Sequence, residues 1–382
     1  MKKLCMYLPP FAPDYSGVCS ALFDFRVLLT IHDAAGCTGN YTGFDEPRWY
    51  GSQKAVYCSG LRKMDVVMGN EQKFLKRIET VAKGYSHDFI ALVGSPVPMV
   101  IGTDFEGLCN ELEIMTGIPA FGFHTTGTSY YNEGIASACI KVIERFAAGS
   151  PVKKNKTVNI LGATPLDISE KNNSDMTAFL TENGWEVHAD FSMGITLEKV
   201  KTAACACVNI AVSQAGLEIA RFMEKRFGMP YVSGLPIGEK YGRIFLKNLE
   251  DVALHGPAAV LGQPAGRADT LVIGDAVVAD SIGKALLYDF NKTGVEIRTP
   301  FGKTGGIGTG MELDCEQAVY DAVNDPGFRT VVADPMICSL VENKSEKTCI
   351  DIAHWAVSSK LRTQYEIPYI SRNFNNIIEK RY

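Results

Sequence analysis

The chain has 382 residues, 46% of them hydrophobic and 21% charged, with 38 Lys and Arg against 43 Asp and Glu for a formal charge of -5. That mild acidity excludes a generally basic surface for nucleic acid or anionic membrane, and no run of about 20 uncharged apolar residues suits a bilayer span. The start, MKKLCMYLPP, is cut short by Pro9 and Pro10 before a signal-peptide core can form, and the eleven scattered cysteines do not resemble a secreted disulfide scaffold, so a cytoplasmic chain is expected. The predicted elements then follow one rhythm: a short apolar strand, a turn, an amphipathic helix. DFIALVG (88–94) reads as a buried strand, and the helix DFEGLCNELEIMTG is capped by Thr103 or Asp104 and stopped by Gly117. IPAFGF (118–123) is a strand, followed by a helix over about 130–147, strand TVNILGA (157–163), a helix near 172–183 and strand WEVHADF (185–191). TLEKVKTAACA reads as helix, VNIAVS (208–213) as strand, and GLEIARFMEKRFG as a helix stopped by Gly228. TLVIGD (270–275), a helix, VEIRT (295–299), a helix near 313–324 and FRTVVAD (328–334) complete the series.

Continuous β-branched strands alternating with helices imply parallel sheets covered on both faces, with right-handed crossovers. More than eight such units exceed one compact open sheet. The expected fold class is therefore α/β, as three Rossmann-like domains with parallel sheets flanked by helices. Their limits are 1–150, 151–256 and 257–382, with polar or Gly/Pro/Ala-rich linkers at GSPVKKNK (149–156) and GPAAVLGQPAGRAD (256–269). Ligands of open parallel sheets sit beyond the carboxyl ends of the strands, which places Ser95, Thr164, Ser213, Asp275, Thr299 and Asp334 near candidate sites by position.

A phosphate loop is not indicated. FGKT (301–304) has the Gly-Lys-Thr end of one, but the required earlier glycine falls at Ile297. GGIGTG (305–310) lacks the acidic residue that would mark a dinucleotide site and reads as a flexible loop. The informative segment is IHDAAGCTGNYTGF (31–44), followed by VYCSG (56–60). Cys37 follows His32 and the small-residue turn Ala34-Ala35-Gly36, and Cys58 lies 21 residues on, ahead of Ser59-Gly60. Loop thiols beside glycines are plausible ligands for a soft metal, but on spacing alone unliganded cysteines are the more ordinary reading. No Cys-x-x-Cys pair points to zinc. Asp33 reads as a turn cap or as a carboxylate tuning or ligating a metal group. Cys19, Cys109, Cys205 and Cys207 read as core thiols, and Cys338 and Cys349 as core or surface thiols. His124 and His354 are each either a proton donor or a hydrogen-bonded structural histidine.

In order along the chain, these marks resemble the nitrogenase component 1 superfamily. PPFAPDYSGVCSALFDFRVLLTIHDAAGC (9–37) is similar to the family's Pro-rich opening, Ser-Gly pair and His…Gly-Cys turn. Cys58 then matches its second cysteine, VVMGNEQKFLKRI (66–78) its Gly before a helix, and IALVGSPVPMVIGTD (90–104) its strand into Ile-Gly-Asp. GIPAFGFHTTG (117–127) and FMEKRFGMPYVSGLPIG (222–238) resemble its later strand and Pro segments. The third family cysteine is replaced by Pro96, and a cofactor cysteine by Val212 and Ser213, which argues against an eight-iron cluster and against dinitrogen as substrate.

What the resemblance implies is a catalytic, electron-accepting component of an ATP-dependent reductase. A separate iron-protein partner would deliver electrons, and a [4Fe–4S] cluster held by Cys37 and Cys58 would be shared between two subunits of a homodimer, or of a heterodimer with a related chain. A small-molecule substrate would receive the electrons, with His124 and His354 among its proton donors. Two other readings stand beside it: a scaffold or carrier for cluster or cofactor assembly, and a non-redox metal-chelate or small-molecule binding protein.

Overall fold

The computed structural model describes residues 6–69, 71–149, 152–256, 268–302, 310–361 and 366–379. The chain packs as two compact units. One comprises Ala12–Ala147 with Ser192–Lys201, the other Met1–Phe11 with Ala148–Phe191 and Thr202–Tyr382.

The first unit is built on one four-stranded sheet of order β2-β1-β3-β4, with β1 Val27–Ile31, β2 Val56–Cys58, β3 Phe89–Val93 and β4 Ala120–Phe123. Its ladders are parallel. VLLTI and FIALV are apolar at nearly every position rather than alternating, because helices cover both faces. On one face the helices Glu71–Ala82 and Phe105–Thr116 pack Phe74, Leu75, Ile78, Leu108 and Leu112 against Leu28, Ile90 and Leu92. The helix Asp14–Leu22 and the helix Tyr131–Phe146 cross backbone to backbone. A Cβ on Gly17 would lie 1.9 Å from the Tyr131 carbonyl oxygen, and one on Gly134 1.9 Å from that of Asp14. Only a residue without a side chain permits that approach.

The second unit carries two parallel sheets. One has the order β6-β5-β7-β8, from β5 Lys154–Leu161, β6 Glu186–Asp190, β7 Ala206–Ala211 and β8 Tyr231–Ser233. The other has the order β11-β10-β9-β12-β13, from β9 Thr270–Ile273, β10 Val295–Thr299, β11 Met311–Glu312, β12 Thr330–Ala333 and β13 Thr348–Asp351. The expected α/β class with three Rossmann-like parallel sheets flanked by helices is what the chain adopts.

The cap signals act at the positions read from the sequence. The Asp104 carboxylate accepts the Gly107 N–H at 3.0 Å, and Gly117 and Gly228 end their helices at φ 70° and 63°. The expected helix over TLEKVKTAACA is a correction. It stops after one turn, Leu197–Lys201, and Ala203–Cys205 is a 3₁₀ turn leading into β7. Ala203 and Ala204 are buried, and their carbonyls accept from Asn159 Nδ2 at 2.9 Å and Lys153 Nζ at 2.8 Å, which overrides their helix propensity. The expected 149–156 linker ends inside β5, whose pairing with β7 is irregular between Lys154 and Val158. Residues 257–267 of the second linker and 303–309 of FGKTGGIGTG lie outside the described residues.

Candidate functional site

Both loop thiols stand at the carboxyl edge of the first unit's sheet. Cys58 is the last residue of β2, paired with Ile31 at the end of β1. Cys37 lies in the first turn of the short helix Gly36–Asn40, six residues beyond the same strand. Asp33 ties the two loops together. Its buried carboxylate accepts the Thr38 N–H and hydroxyl, each at 3.0 Å, and the Cys58 thiol at 2.8 Å. Its N–H donates to Ser59 Oγ at 3.0 Å, and its carbonyl accepts the Leu61 N–H at 2.8 Å. Gly60 adds an N–H to Cys58 Sγ at 3.3 Å. Cys37 is half-buried beside Tyr15 and Ser95, while Cys58 is exposed. Burial pushes both thiols above the ordinary cysteine value, with Asp33 adding to the rise at each.

The turn before Cys37 is strained. Ala35 has φ 122°, a region that L residues avoid. After Cys37 the backbone widens into a π-turn, Tyr41–Asp45. An interior network missed in the sequence holds this segment. Arg48 donates through Nε and Nη2 to Glu46 at 2.7 and 2.8 Å, and to the carbonyls of Ser20 and Ser192 at 2.8 and 2.6 Å. Asp45 accepts Ser16 Oγ at 2.6 Å and Asn40 Nδ2 at 2.7 Å, and burial pushes it up to about 6. The only sequence signal is the charge density of FDEPR, which reads as surface until Glu46 is found 1% exposed.

His32 stacks on Phe74 at 4.4 Å, and its Nδ1 is buried without a hydrogen-bond partner. Burial holds it down to about 4. It lines a cavity of about 130 Å3 with Ser59, Phe74, Arg77, Ile101 and Thr103. His124 is exposed just past β4 and meets Phe105 edge-on at 5.4 Å. Asp14 pins the loop that follows, accepting the N–H groups of Thr126 and Gly127 at 2.7 and 2.8 Å.

His354 belongs to the other unit, so the two histidines are not gathered with the cysteines into one described site. It is buried, its Nε2 lies 3.1 Å from Asp167 Oδ1, and its N–H donates to Asp334 at 2.8 Å. Asp275, Ser213 and Asp334 are buried helix caps at strand ends. Asp275 also accepts the Gln214 N–H at 2.8 Å, and Gln214 Oε1 accepts the Thr299 hydroxyl at 3.0 Å, which joins the unit's two sheets. Burial, then the nearby Asp167, pushes Asp275 up. The carboxyl-edge positions Ser95, Thr164, Ser213, Asp275, Thr299 and Asp334 are thus all buried.

Among the other cysteines, Cys19 and Cys109 are buried, as expected of core thiols. Cys205 and Cys207 are only half-buried, and Cys207 donates to the Thr157 carbonyl at 3.1 Å. Pro96, in the place of the third family cysteine, opens the helix Pro96–Val100 behind the cap Ser95.

The donor chemistry can be tested against an iron–sulfur cluster. Thiolates are its usual ligands, four to a [4Fe–4S] cluster. Among the described residues no group of three or more His, Cys, Asp or Glu side chains could hold a metal ion. Cys37 and Cys58, two thiols at one sheet edge, match half of a four-thiolate set in number and type. The rim is open, since a Cβ on Gly36, Gly39, Gly43 or Gly60 would meet nothing within 4 Å.

Three parallel sheets flanked by helices, with two loop thiols at one carboxyl edge, define a multi-sheet α/β protein. The chain belongs to the nitrogenase component 1 type oxidoreductases, whose family model matches residues 14–265. It is 26% identical over 213 residues to the nitrogenase iron-molybdenum cofactor biosynthesis protein NifE of Clostridium pasteurianum, covering 53% of this chain and 44% of that one. It is 22% identical over 242 residues to the nitrogenase molybdenum-iron protein alpha chain of Methanosarcina barkeri, covering 58% and 43%. It is 29% identical over 115 residues to a light-independent protochlorophyllide reductase chain of Heliobacterium modesticaldum, covering 30% and 22%. The chain thus matches less than half the length of each of these relatives. In fold it is similar to nitrogenase Cp1 at pH 6.5, with a TM-score of 0.73 at 13% identity over 100% of this chain and 94% of that one.

Proposed function

We propose that the chain is the catalytic, electron-accepting component of a nitrogenase-like, ATP-dependent reductase, and that Cys37 and Cys58 supply its half of a [4Fe–4S] cluster shared between two subunits. The observation that carries this is Asp33, which at one open sheet edge holds both the Cys58 thiol and the Thr38 N–H next to Cys37. A bound cluster supplies one-electron transfer at low potential. The chain's own residues do the rest. Asp33 and Gly60 orient Cys58, Tyr15 and Ser95 flank Cys37, and the Arg48–Glu46 network keeps the intervening segment from moving. His124, exposed beyond β4, and His354, hydrogen-bonded to Asp167, are the proposed proton donors to a small-molecule substrate.

The same edge has the surface a partner subunit requires. Met64, Val67 and Met68 on one short helix, and Val97, Met99 and Val100 on another, are all exposed. Exposed apolar side chains of this kind support an interaction site. The partner would be a second copy or a related chain, with a separate iron protein delivering electrons. No helix among the described residues is long and apolar enough to cross a membrane, and a cytoplasmic location is part of the proposal.

A second reading, a scaffold or carrier for cofactor assembly, is favoured by the NifE relatives. Anaerobic purification and reconstitution separate the readings. An iron-bearing protein with a thiolate-to-iron charge-transfer band supports either cluster role, and ATP-dependent electron uptake from an iron protein then supports the reductase. Cys37→Ser or Cys58→Ser should abolish iron binding, and wild-type iron content in either variant would overturn the ligand assignment. A protein that stays iron-free after reconstitution would instead favour a non-redox metal-chelate or small-molecule receptor.

A further inference from the structure

A second pair of cysteines, in the unit that holds His354, has no part in the proposed function. Cys338 ends the helix Pro335–Cys338, which Asp334 caps. Cys349 lies in β13, the edge strand beyond β12. Side chains alternate along a strand, so Cys349 and Asp351 share one face of β13. That face borders a cavity of about 400 Å3, lined by Cys338, Cys349, Asp351, Ser339, Lys344 and Lys347. Both thiols face this cavity, and each lies near enough to shift the other's titration. Cys338 is 4% exposed, and its other sulfur contacts are long, 3.6 Å to the Ala333 carbonyl and 4.0 Å to that of Ile350. Cys349 is half-open to the cavity.

We propose that Cys338 and Cys349 are a redox-active dithiol that is oxidised by a small, negatively charged disulfide entering this cavity. The Cys349 thiolate attacks one sulfur of the disulfide. A Cys349–S–S–R bond forms, the R–S–S–R bond breaks, and one RS⁻ leaves. Cys338 then attacks Cys349 Sγ, the mixed disulfide breaks, and the Cys338 proton leaves with the second RS group as RSH. The protein loses two electrons, and the disulfide gains them as two thiols.

The environment divides the two roles. Cys349 is pulled down to about 7, first by the Cys338 thiol, with Lys344 and Lys347 helping and burial and Asp351 opposing. Cys338 is raised by Cys349, by burial and by Asp351. An attacking thiol works best when its pKa is near the ambient pH. A buried thiol beside it can only act second, as the resolving group. Lys347 is held by the carbonyls of Val323 and Asp325, at 2.9 and 2.6 Å, which leaves Lys344 as the cation that can turn toward an incoming ligand. That charge is the reason for an anionic disulfide.

The test uses the reduced full chain and oxidised glutathione, followed by peptide mass mapping. The expected product is a Cys338–Cys349 disulfide, formed about tenfold faster than exposed Cys315 takes up glutathione at neutral pH. Cys338→Ser should instead keep one glutathione on Cys349, and Cys349→Ser should take none at this cavity. Should serine at the buried position unfold the chain, Cys338→Ala serves the same purpose. Stable glutathionylation of Cys349 in the unaltered protein, or no reaction at either thiol while Cys315 reacts, overturns the proposal. Lys344→Glu should slow oxidised glutathione several-fold and leave neutral hydroxyethyl disulfide unaffected; equal rates with both disulfides before and after the change would remove the charge preference.

Discussion

Single residues around the paired thiols carry energies that the chain's overall composition hides. Arg48 is buried with Glu46, at 6% and 0% side-chain exposure. Removing one member of such a pair leaves the other charged and unpaired in the interior. Arg48→Ala should therefore lose about 3–5 kcal/mol of unfolding free energy in urea titrations, and a loss below about 1 kcal/mol would mean that water reaches Glu46. His32 gives a pH-dependent prediction. Its folded value, about 4, lies below the unfolded value of about 6.5, so the unfolded chain takes the proton first. Stability contributed by the neutral ring is thus present above about pH 6.5 and is lost as the pH falls toward 4. Asp45 acts in the opposite sense. Raised to about 6, it binds its proton in the folded state first, and folding gains as the pH falls through that value. A His32→Phe variant isolates the first effect. Its stability relative to the unaltered chain should rise by on the order of 3 kcal/mol between about pH 7 and pH 4, and a constant difference would show that the ring takes up its proton equally readily in the folded and unfolded chain.

At the scale of elements, two kinds of contact hold the first unit's carboxyl edge. One is polar: Asp14 begins one helix and grips the loop 124–127 through two N–H groups, and Asp33 grips both cysteine loops. The other is the close crossing of Asp14–Leu22 on Tyr131–Phe146. Gly17→Ala or Gly134→Ala would drive a methyl into a backbone carbonyl, which no rotamer change can relieve. Each should cost about 1–3 kcal/mol or more in denaturant midpoint analysis, and because Asp14 and Tyr15 ride on the displaced helix, iron retention should fall with it. An alanine tolerated at both sites would show that the helices separate easily. The helix capped by Asp104 and stopped by Gly117 was legible in the sequence because capping is a local transaction between neighbours. The crossing was not legible. Gly17 and Gly134 are 117 positions apart, and nothing near either marks its partner.

For the whole molecule, the proposed shared cluster makes assembly and metal content one quantity. Two thiols per chain and four per [4Fe–4S] cluster mean about two irons per chain in the assembled dimer. Native mass spectrometry of the reconstituted protein should find one cluster per two chains, and chelation of the iron should shift the population toward monomer. Met68→Asp or Val100→Asp should weaken the dimer while leaving the fold intact, because both side chains are exposed, at 71% and 77%. A monomer holding a full cluster would sink the shared site. The three-domain division at 1–150, 151–256 and 257–382 remains our proposal for how the chain would be cut into separately folding parts.

The sequence by itself determined the layered α/β architecture, most strand cores and the helix stops, because hydrophobic periodicity and capping are read between residues a few positions apart. It also singled out Cys37 and Cys58 by their glycine-bearing loops. The tertiary structure alone decided which groups meet: Asp33 with Cys58 and Thr38, Arg48 sunk onto Glu46, His354 against Asp167, and Cys338 and Cys349 on one cavity. It also ended the helix expected over TLEKVKTAACA, where Ala203 and Ala204 are fully buried and Asn159 of β5 takes the Ala203 carbonyl. Such contacts join segments far apart in the chain. Their free energy comes from shared burial and from polar groups satisfied across space, which no window of neighbouring residues contains.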